Sequence, residues 1–297
     1  MQAAVLNATG RFVEAQSHAA AAMSFYRREA HAPHAAEYGH DLGVAALAHY
    51  AVATWHLGYP AQAAETTRRA IELAAAVEHA NTATYAYFFP AGLVAASARD
   101  MPALDRASRK LGELSRQHGL AQWAALGTAL RGCCLALGGG EAAEAVGTIQ
   151  DGLLACRSVG FEIYRPLFLG YLAEALLRAG DAKGAARAAS QALSLVEDTG
   201  ERADEPELLR LAGRIAAARS PAEGERYLRR AMELACRRHA RLLELRAATG
   251  LARLWREQGR PNEALDLLAP VHGWFTEGFD TPDLKEASAL LDELRRS

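Results

Sequence analysis

The chain has 297 residues, 51% hydrophobic and 23% charged, with a formal net charge of -2 at pH 7. It carries enough apolar material to bury a core, and its near balance of charge excludes a general attraction to nucleic acid or to an anionic membrane. No stretch approaches the ~20 apolar residues of a membrane span, and the N-terminal segment lacks the basic and apolar regions of a secretory signal, so a cytoplasmic location is expected.

Ala and Arg are abundant while Thr, Ile and Val are sparse, which favours helix over strand. A small-residue signature then recurs along the chain. Gly10, Ala15 and Ala22 have the spacing Gly-x4-Ala-x6-Ala, and Gly58-Ala63-Ala70 and Gly180-Ala185-Ala192 repeat it. Gly140-Ala145-Gly152 keeps it with one Gly for Ala, and Gly259-Ala264-Val271 with a Val. Weaker copies stand near Asp100-Met101-Pro102 and Arg219-Ser220-Pro221. A fixed step of this kind marks a stacked array of helical hairpins.

In chain order, Met1–Thr9 leaves only a short helix before Gly10, so a partial unit over residues 1–30 is expected, as in a fragment of something longer. An irregular segment, Glu29–His40, follows, broken at Ala32-Pro33-His34. Six full units are expected at about 37–79, 80–119, 120–160, 161–200, 203–240 and 241–278, with a capping helix over 281–296. In the 161–200 unit, a first helix runs from Phe161 to Ala179, Gly180-Asp181 stops it, and a second runs from Ala182 to about Val196. Gly suits the stop because it adopts positive φ without a Cβ clash. Pro60, Pro102, Pro221 and Pro261 fall where second helices begin, a position at which the missing N–H costs nothing. Thr281 is a candidate N-cap before Pro282. The Ala positions are read as close helix crossings, and Leu73, Leu195, Leu234 and Leu267 as fillers of the wider gaps between units. The fold class is therefore all-α, an α-solenoid forming a single domain over residues 1–297.

Cys133, Cys134, Cys156 and Cys236 form no C-x-x-C pair and read as small, reduced core residues. His31, His34 and His40 lie close in sequence, but a closed metal site needs four well-placed ligands, so solvated histidines are favoured and no metal or cofactor is expected. Tyr85, Tyr87, Phe88 and Phe89 precede Pro90, which must kink a helix or free a carbonyl. This cluster is either core or the wall of a pocket. Trp274, Phe275 and Phe279 read as an apolar plug beneath the last helix. No local motif suggests a catalytic triad, and no catalytic residue is expected.

These features resemble the tetratricopeptide repeat (TPR) family. The strings Tyr38-Gly39-His40-Asp41-Leu42-Gly43, Leu57-Gly58-Tyr59-Pro60-Ala61-Gln62-Ala63, Trp123-Ala124-Ala125-Leu126-Gly127 and Gly273-Trp274-Phe275-Thr276-Glu277-Gly278-Phe279-Asp280-Thr281 resemble the C-terminal TPR region of bacterial multidomain proteins that join a class III adenylate/guanylate cyclase domain, an AAA- or STAND-type ATPase domain and a TPR tail. Nothing in the chain offers the cyclase metal-binding aspartates or a phosphate-binding Gly-x4-Gly-Lys-Ser/Thr loop, so only the sensing or partner-binding arm is implied. The resemblance implies a right-handed superhelix whose first helices line a concave groove. Groove candidates are Tyr38, His40, Asp41, Trp55, Tyr87, Arg131, Arg165, Arg178, Arg210, Arg214, Arg246 and Arg253. The arginines suit an acidic peptide or a terminal carboxylate, because guanidinium forks bind carboxylates in pairs. The competing reading pairs them internally with Glu162, Glu174, Glu207 and Glu244, and makes Asp41 a helix start. The expected function is non-enzymatic: a scaffold for a protein or peptide, including an ATPase or cyclase domain, with a small-ligand sensor as the alternative. The apolar face of the partial first unit leaves pairing of two chains open.

Overall fold

The structure is a computed structural model that describes residues 2–296. Its helices pair as hairpins: α1 (Gln2–Ala8) with α2 (Phe12–Phe25), α3 (Leu42–His56) with α4 (Pro60–Val77), and α5 (80–98) with α6 (Met101–Gln117). The series continues with α7 (Ala121–Leu137) and α8 (Ala142–Ser158), α9 (Arg165–Arg178) and α10 (Ala182–Thr199), α11 (Glu205–Ala217) and α12 (Pro221–Arg237), and α13 (Arg241–Glu257) and α14 (Pro261–Gly273). Helix α15 (Pro282–Leu294) covers the last hairpin, and no strand occurs among the described residues. The chain is an all-α solenoid with a C-terminal capping helix.

Local chemistry explains most boundaries. Asp41, Asp100, Asp181 and Ser220 each accept a backbone N–H of the following turn through the side chain, satisfying a donor that has no partner inside the helix. Thr281 does not: its hydroxyl donates back to the Gly278 carbonyl at 2.7 Å, and Pro282 starts α15 without a side-chain cap. Helix α9 begins at Arg165 and not at Phe161, because Tyr164 takes a left-handed conformation (φ 67°) just before Pro166. The irregular segment after α2 is three short helical turns, Arg28–His31, Ala32–His34 and Ala35–Tyr38. In α5, Pro90 is accommodated by a π-helical stretch, Tyr87–Leu93, which widens the turn where the ring would otherwise meet a preceding carbonyl.

Each first helix packs against the first helix of the next unit as well as its own partner, from α7 through α9, α11 and α13 to α15. That shared inner layer curves the stack. Ala15, Ala63, Ala145, Ala185 and Ala264, the signature positions, are fully buried at the hairpin crossings. Gly152 shows why one unit needs Gly: a Cβ there would lie 2.5 Å from the Ala129 backbone nitrogen. Leu73, Leu195, Leu234 and Leu267 pack as partly buried fillers around the core clusters. Three further expectations are corrected. Ala22 is exposed, because α2 extends beyond its partner α1. Cys236 is exposed, while Cys133, Cys134 and Cys156 are buried. Phe279 is exposed, and only Phe275 of the plug is fully buried.

Replacing Ala185 by Leu must push α9 and α10 apart, at a cost of about 1–3 kcal/mol. The same change at exposed Ala22 should cost less than about 0.5 kcal/mol. Urea unfolding followed by circular dichroism distinguishes the two, and equal costs would remove the close-crossing explanation.

Candidate functional site

The curvature brings the two ends of the stack together. The Ala8 carbonyl, at the end of α1, accepts from the backbone N–H groups of Arg202 (2.7 Å) and Ala203 (3.0 Å). The Glu277 carboxylate caps α4, accepting from the N–H groups of Ala61 at 2.9 Å and Gln62 at 3.2 Å. Gly58 admits Trp274: a Cβ at Gly58 would sit 2.6 Å from that ring, and its φ of 97° already excludes most side chains. Leu6, Phe12 and Trp55 share one core cluster with Leu242, Leu251 and Leu291. The apolar inner face of the first hairpin is thus covered by the far end of the same chain.

The deepest tie is ionic. Asp283, buried at the start of α15, accepts from Arg246 Nε (3.0 Å to each oxygen) and Nη2 (2.8 Å) on α13. It also accepts from Arg99 Nη2 at 2.6 Å, just past α5. Arg246 donates in addition to the Ser97 carbonyl at the end of α5 and lies 5.4 Å above the Trp55 ring. Arg99 reaches Glu286 at 2.8 Å. One carboxylate therefore joins α5, α13 and α15.

Between the joined ends the concave side of the solenoid becomes a cavity of about 750 Å³. Trp55, Arg178, Arg210, Arg214, Arg246 and Arg253 line it. Its arginines are engaged within the chain: Arg210 with Glu207 (2.8 Å), Arg214 with Glu174 (2.7 Å) and Arg253 with Glu286 (3.3 Å). Arg178 donates to the carbonyls of Leu135, Ala136 and Gly140, closing the C-terminal end of α7. Burial would raise the Glu207 carboxyl, but Arg210 and Arg246 beside it hold it down at about 2.

The remaining candidates lie outside this cavity. Tyr38 is exposed on a short helical turn. His40 stacks on Tyr85 at 4.6 Å. Asp41 is fully buried, caps α3 through Val44 N–H (2.8 Å) and accepts from Tyr26 Oη at 2.9 Å; it is a helix start. Tyr87 opens the π-helical stretch, Arg131 pairs with Asp105, and Arg165 pairs with Glu162 at 3.0 Å. Among the described residues, no group of three His, Cys, Asp or Glu side chains is placed to hold a metal ion.

Sequence reasoning passed over Asp204. It stands at the N-cap position of α11, where its backbone carbonyl accepts from Leu208 N–H at 3.0 Å, yet its carboxylate makes no cap, hydrogen bond or ion pair among the described residues. It lines both the main cavity and a narrow adjoining pocket of about 40 Å³ beside Asn7, His56 and Phe89. The fold encloses the carboxyl, but its neighbour on one side is cavity space, so it remains partly accessible. Burial first, then the Glu207 and Glu201 carboxylates, push it up to about 7. Its signal in the sequence, Asp204-Glu205-Pro206, reads as an ordinary helix start. His49 and His56 are buried and held down to about 4 by loss of hydration. His56 Nδ1 lies 2.9 Å from the Val52 carbonyl, which can only accept, so the proton sits on Nδ1 and Nε2 is an acceptor.

The architecture is that of an α-solenoid of helical hairpins whose two ends meet beside an inner cavity. No family model matches the chain, and no curated protein does. Among solved structures it is similar to a signal transduction ATPase with numerous domains (STAND) carrying a tetratricopeptide repeat sensor, from Pyrococcus horikoshii. That match has 15% identity and a TM-score of 0.45, and it covers 96% of this chain and 41% of the other. It is also similar to the APC/C hetero-tetramer Cut9–Hcn1, with 15% identity, a TM-score of 0.42, and 99% of this chain against 54% of the other. The chain spans about half or less of the length of the structures it matches.

Asp283→Ala removes the buried carboxylate that the largely buried Arg246 shares with Arg99 and leaves Arg99 only Glu286; breaking such a buried pair costs about 3–5 kcal/mol. The variant should unfold at lower urea and show a larger radius of gyration in small-angle scattering; an unchanged radius would mean the ends are held without it.

The pH dependence has two opposed parts. Unfolded histidines take up protons near pH ~6.5 whereas His49 and His56 in the fold resist until about 4, so their contribution is present above that window and lost as pH falls through it. Asp204 keeps its proton to about 7 in the fold but releases it near ~3.9 when unfolded, so its contribution is present at low pH and lost as pH rises. Asp204→Asn should therefore be more stable than the parent at about pH 8 and should lose stability more steeply between about pH 6.5 and pH 4.5. Urea midpoints across that range test both signs.

Proposed function

We propose that this chain is a non-catalytic binding module whose closed concave cavity receives a small ligand, serving as the sensing arm of a larger regulatory protein. The observation that carries this reading is the cavity itself. At about 750 Å³ it falls within the ~300–1,000 Å³ typical of small-molecule sites. Residues of both ends of the chain, Trp55 and Asp283 among them, border it, and its arginines already have partners. An acidic peptide laid along those arginines would have to displace Glu207, Glu174, Glu286 and Asp283 from positions they hold with good geometry, while a small molecule needs only the space between them. The link to a signalling ATPase or cyclase is supported by the string resemblance alone.

The second reading, a scaffold for a protein or peptide partner, is favoured by a different observation. Val5, Val13, Phe25, Tyr38 and Leu42 are exposed at the N-terminal end of the stack. Large apolar side chains grouped on a surface are common in interaction sites.

Thermal-shift screening with metabolites and short peptides separates the readings. A ligand at a hundred times its Kd stabilises the fold by about 2.7 kcal/mol, so saturable stabilisation by a small molecule, lost in Trp55→Ala, is expected. If only a protein partner stabilises the chain, and Val13→Asp with Phe25→Asp abolishes that effect, the cavity reading gives way to the scaffold.

A further inference from the structure

We infer that the narrow pocket beside Asp204 is a seat for the ammonium group of a small organic amine, whose remainder extends into the main cavity. The inference rests on the cavity reading above and names the chemistry of its ligand.

The polar atoms left unmet in the burial around this pocket are acceptors, and the Ser97 and Tyr164 hydroxyls that also line it can accept as well as donate. Asn7 gives its amide N–H to the His49 carbonyl at 2.9 Å, and its Oδ1 has no partner. His56 Nε2 is likewise buried without a partner, and with the proton on Nδ1 it can only accept. The stacked Phe12 ring, 4.0 Å away, limits any rotation that would change this. Asp204 adds a carboxylate with no ion pair of its own. Buried acceptors left unmet cost free energy that a donor would recover, so three of them bordering one pocket describe the missing group: a cation carrying several N–H bonds. An anion would find no cationic side chain lining this pocket and would lie against the Asp204 carboxylate, with Glu207 in the adjoining cavity. A bare metal ion lacks a ligand set among the described residues.

The walls say that the cation is organic. Phe89 and Tyr164, whose rings are 5.8 Å apart, border the pocket, and aromatic faces attract ammonium groups as well as alkyl stems. Trp55 is already covered by Arg246. Asp204 also lines the main cavity, so an ammonium held there leaves its substituent pointing into open space.

The test uses the intact chain with phenylethylamine, tyramine and agmatine against the alcohol and carboxylate of matching size, read by calorimetry and thermal shift. Amines should bind saturably and the matched alcohols and carboxylates at least roughly tenfold more weakly. Asp204→Asn should weaken amine binding by a similar factor although the unliganded variant is the more stable protein, so misfolding is not the explanation. Amine affinity should fall from about pH 8 to about pH 6 as Asp204 takes up its proton, and stay flat in Asp204→Asn. Across that range Glu207 and Arg246 keep their charges and His49 and His56 stay neutral, while Glu201, whose carboxyl burial raises, also faces Asp204. Equal binding of amine and alcohol, or full amine affinity in Asp204→Asn, overturns the amine assignment. A cavity ligand of another class would remove that assignment and leave the cavity reading standing; no binding by any class would remove both.

Discussion

Asp283 is the residue on which the form of this molecule turns. A solenoid built only of neighbour contacts has two free ends and an open trough. Here a single buried carboxylate takes hydrogen bonds from Arg246 on one side and Arg99 on the other, and these guanidinium groups belong to opposite halves of the chain. Arg246 carries the link on to the Ser97 carbonyl. A buried ion pair adds little net stability, since desolvation offsets much of the attraction. What it does supply is position: a charged group left without its partner is costly, so sliding the ends past each other is penalised. The first hairpin, the Glu277 cap on α4 and the Trp274 contact at Gly58 all assume that register.

The closure changes what the concave face is. The first helices supply arginines at regular intervals, and in an open groove these would face solvent and any acidic partner. In the closed form they meet glutamates and aspartates across a confined space, with Glu207 held firmly ionised between Arg210 and Arg246. Against that background Asp204 stands apart. Glu207 and Arg246 close to it are paired, and the carboxylates that act on it include Glu201, which accepts only the Tyr164 backbone N–H. The fold tolerates an uncompensated carboxyl there because its raised proton affinity lets it stay neutral in acid. In neutral solution the same group is the local feature most in need of a counter-ion.

The repeat was legible because its signals are local. Hairpin turns announced themselves through Gly and Pro, and close crossings through Ala15, Ala63, Ala145, Ala185 and Ala264, each of which is buried. The misplacements have local causes too. The start of α9 shifts because Tyr164 adopts a conformation usually left to Gly, and Ala22 is exposed because α1 is too short to reach it. Of the proposed groove residues, Trp55, Arg178, Arg210, Arg214, Arg246 and Arg253 line the cavity. Tyr38, His40, Asp41, Tyr87, Arg131 and Arg165 do not; Asp41 and His40 are spent on helix capping and ring stacking.

The amino-acid sequence by itself determined the helices, their pairing and the step at which they stack, since a turn glycine, a capping aspartate and a small residue at a crossing act within one unit of the chain. The meeting of the ends was decided only by the tertiary structure. Curvature accumulates from small offsets at every hairpin, so whether Asp283 reaches Arg99, or Asn7 and His56 come to border the same pocket as Asp204, depends on the sum over all units and on no single motif.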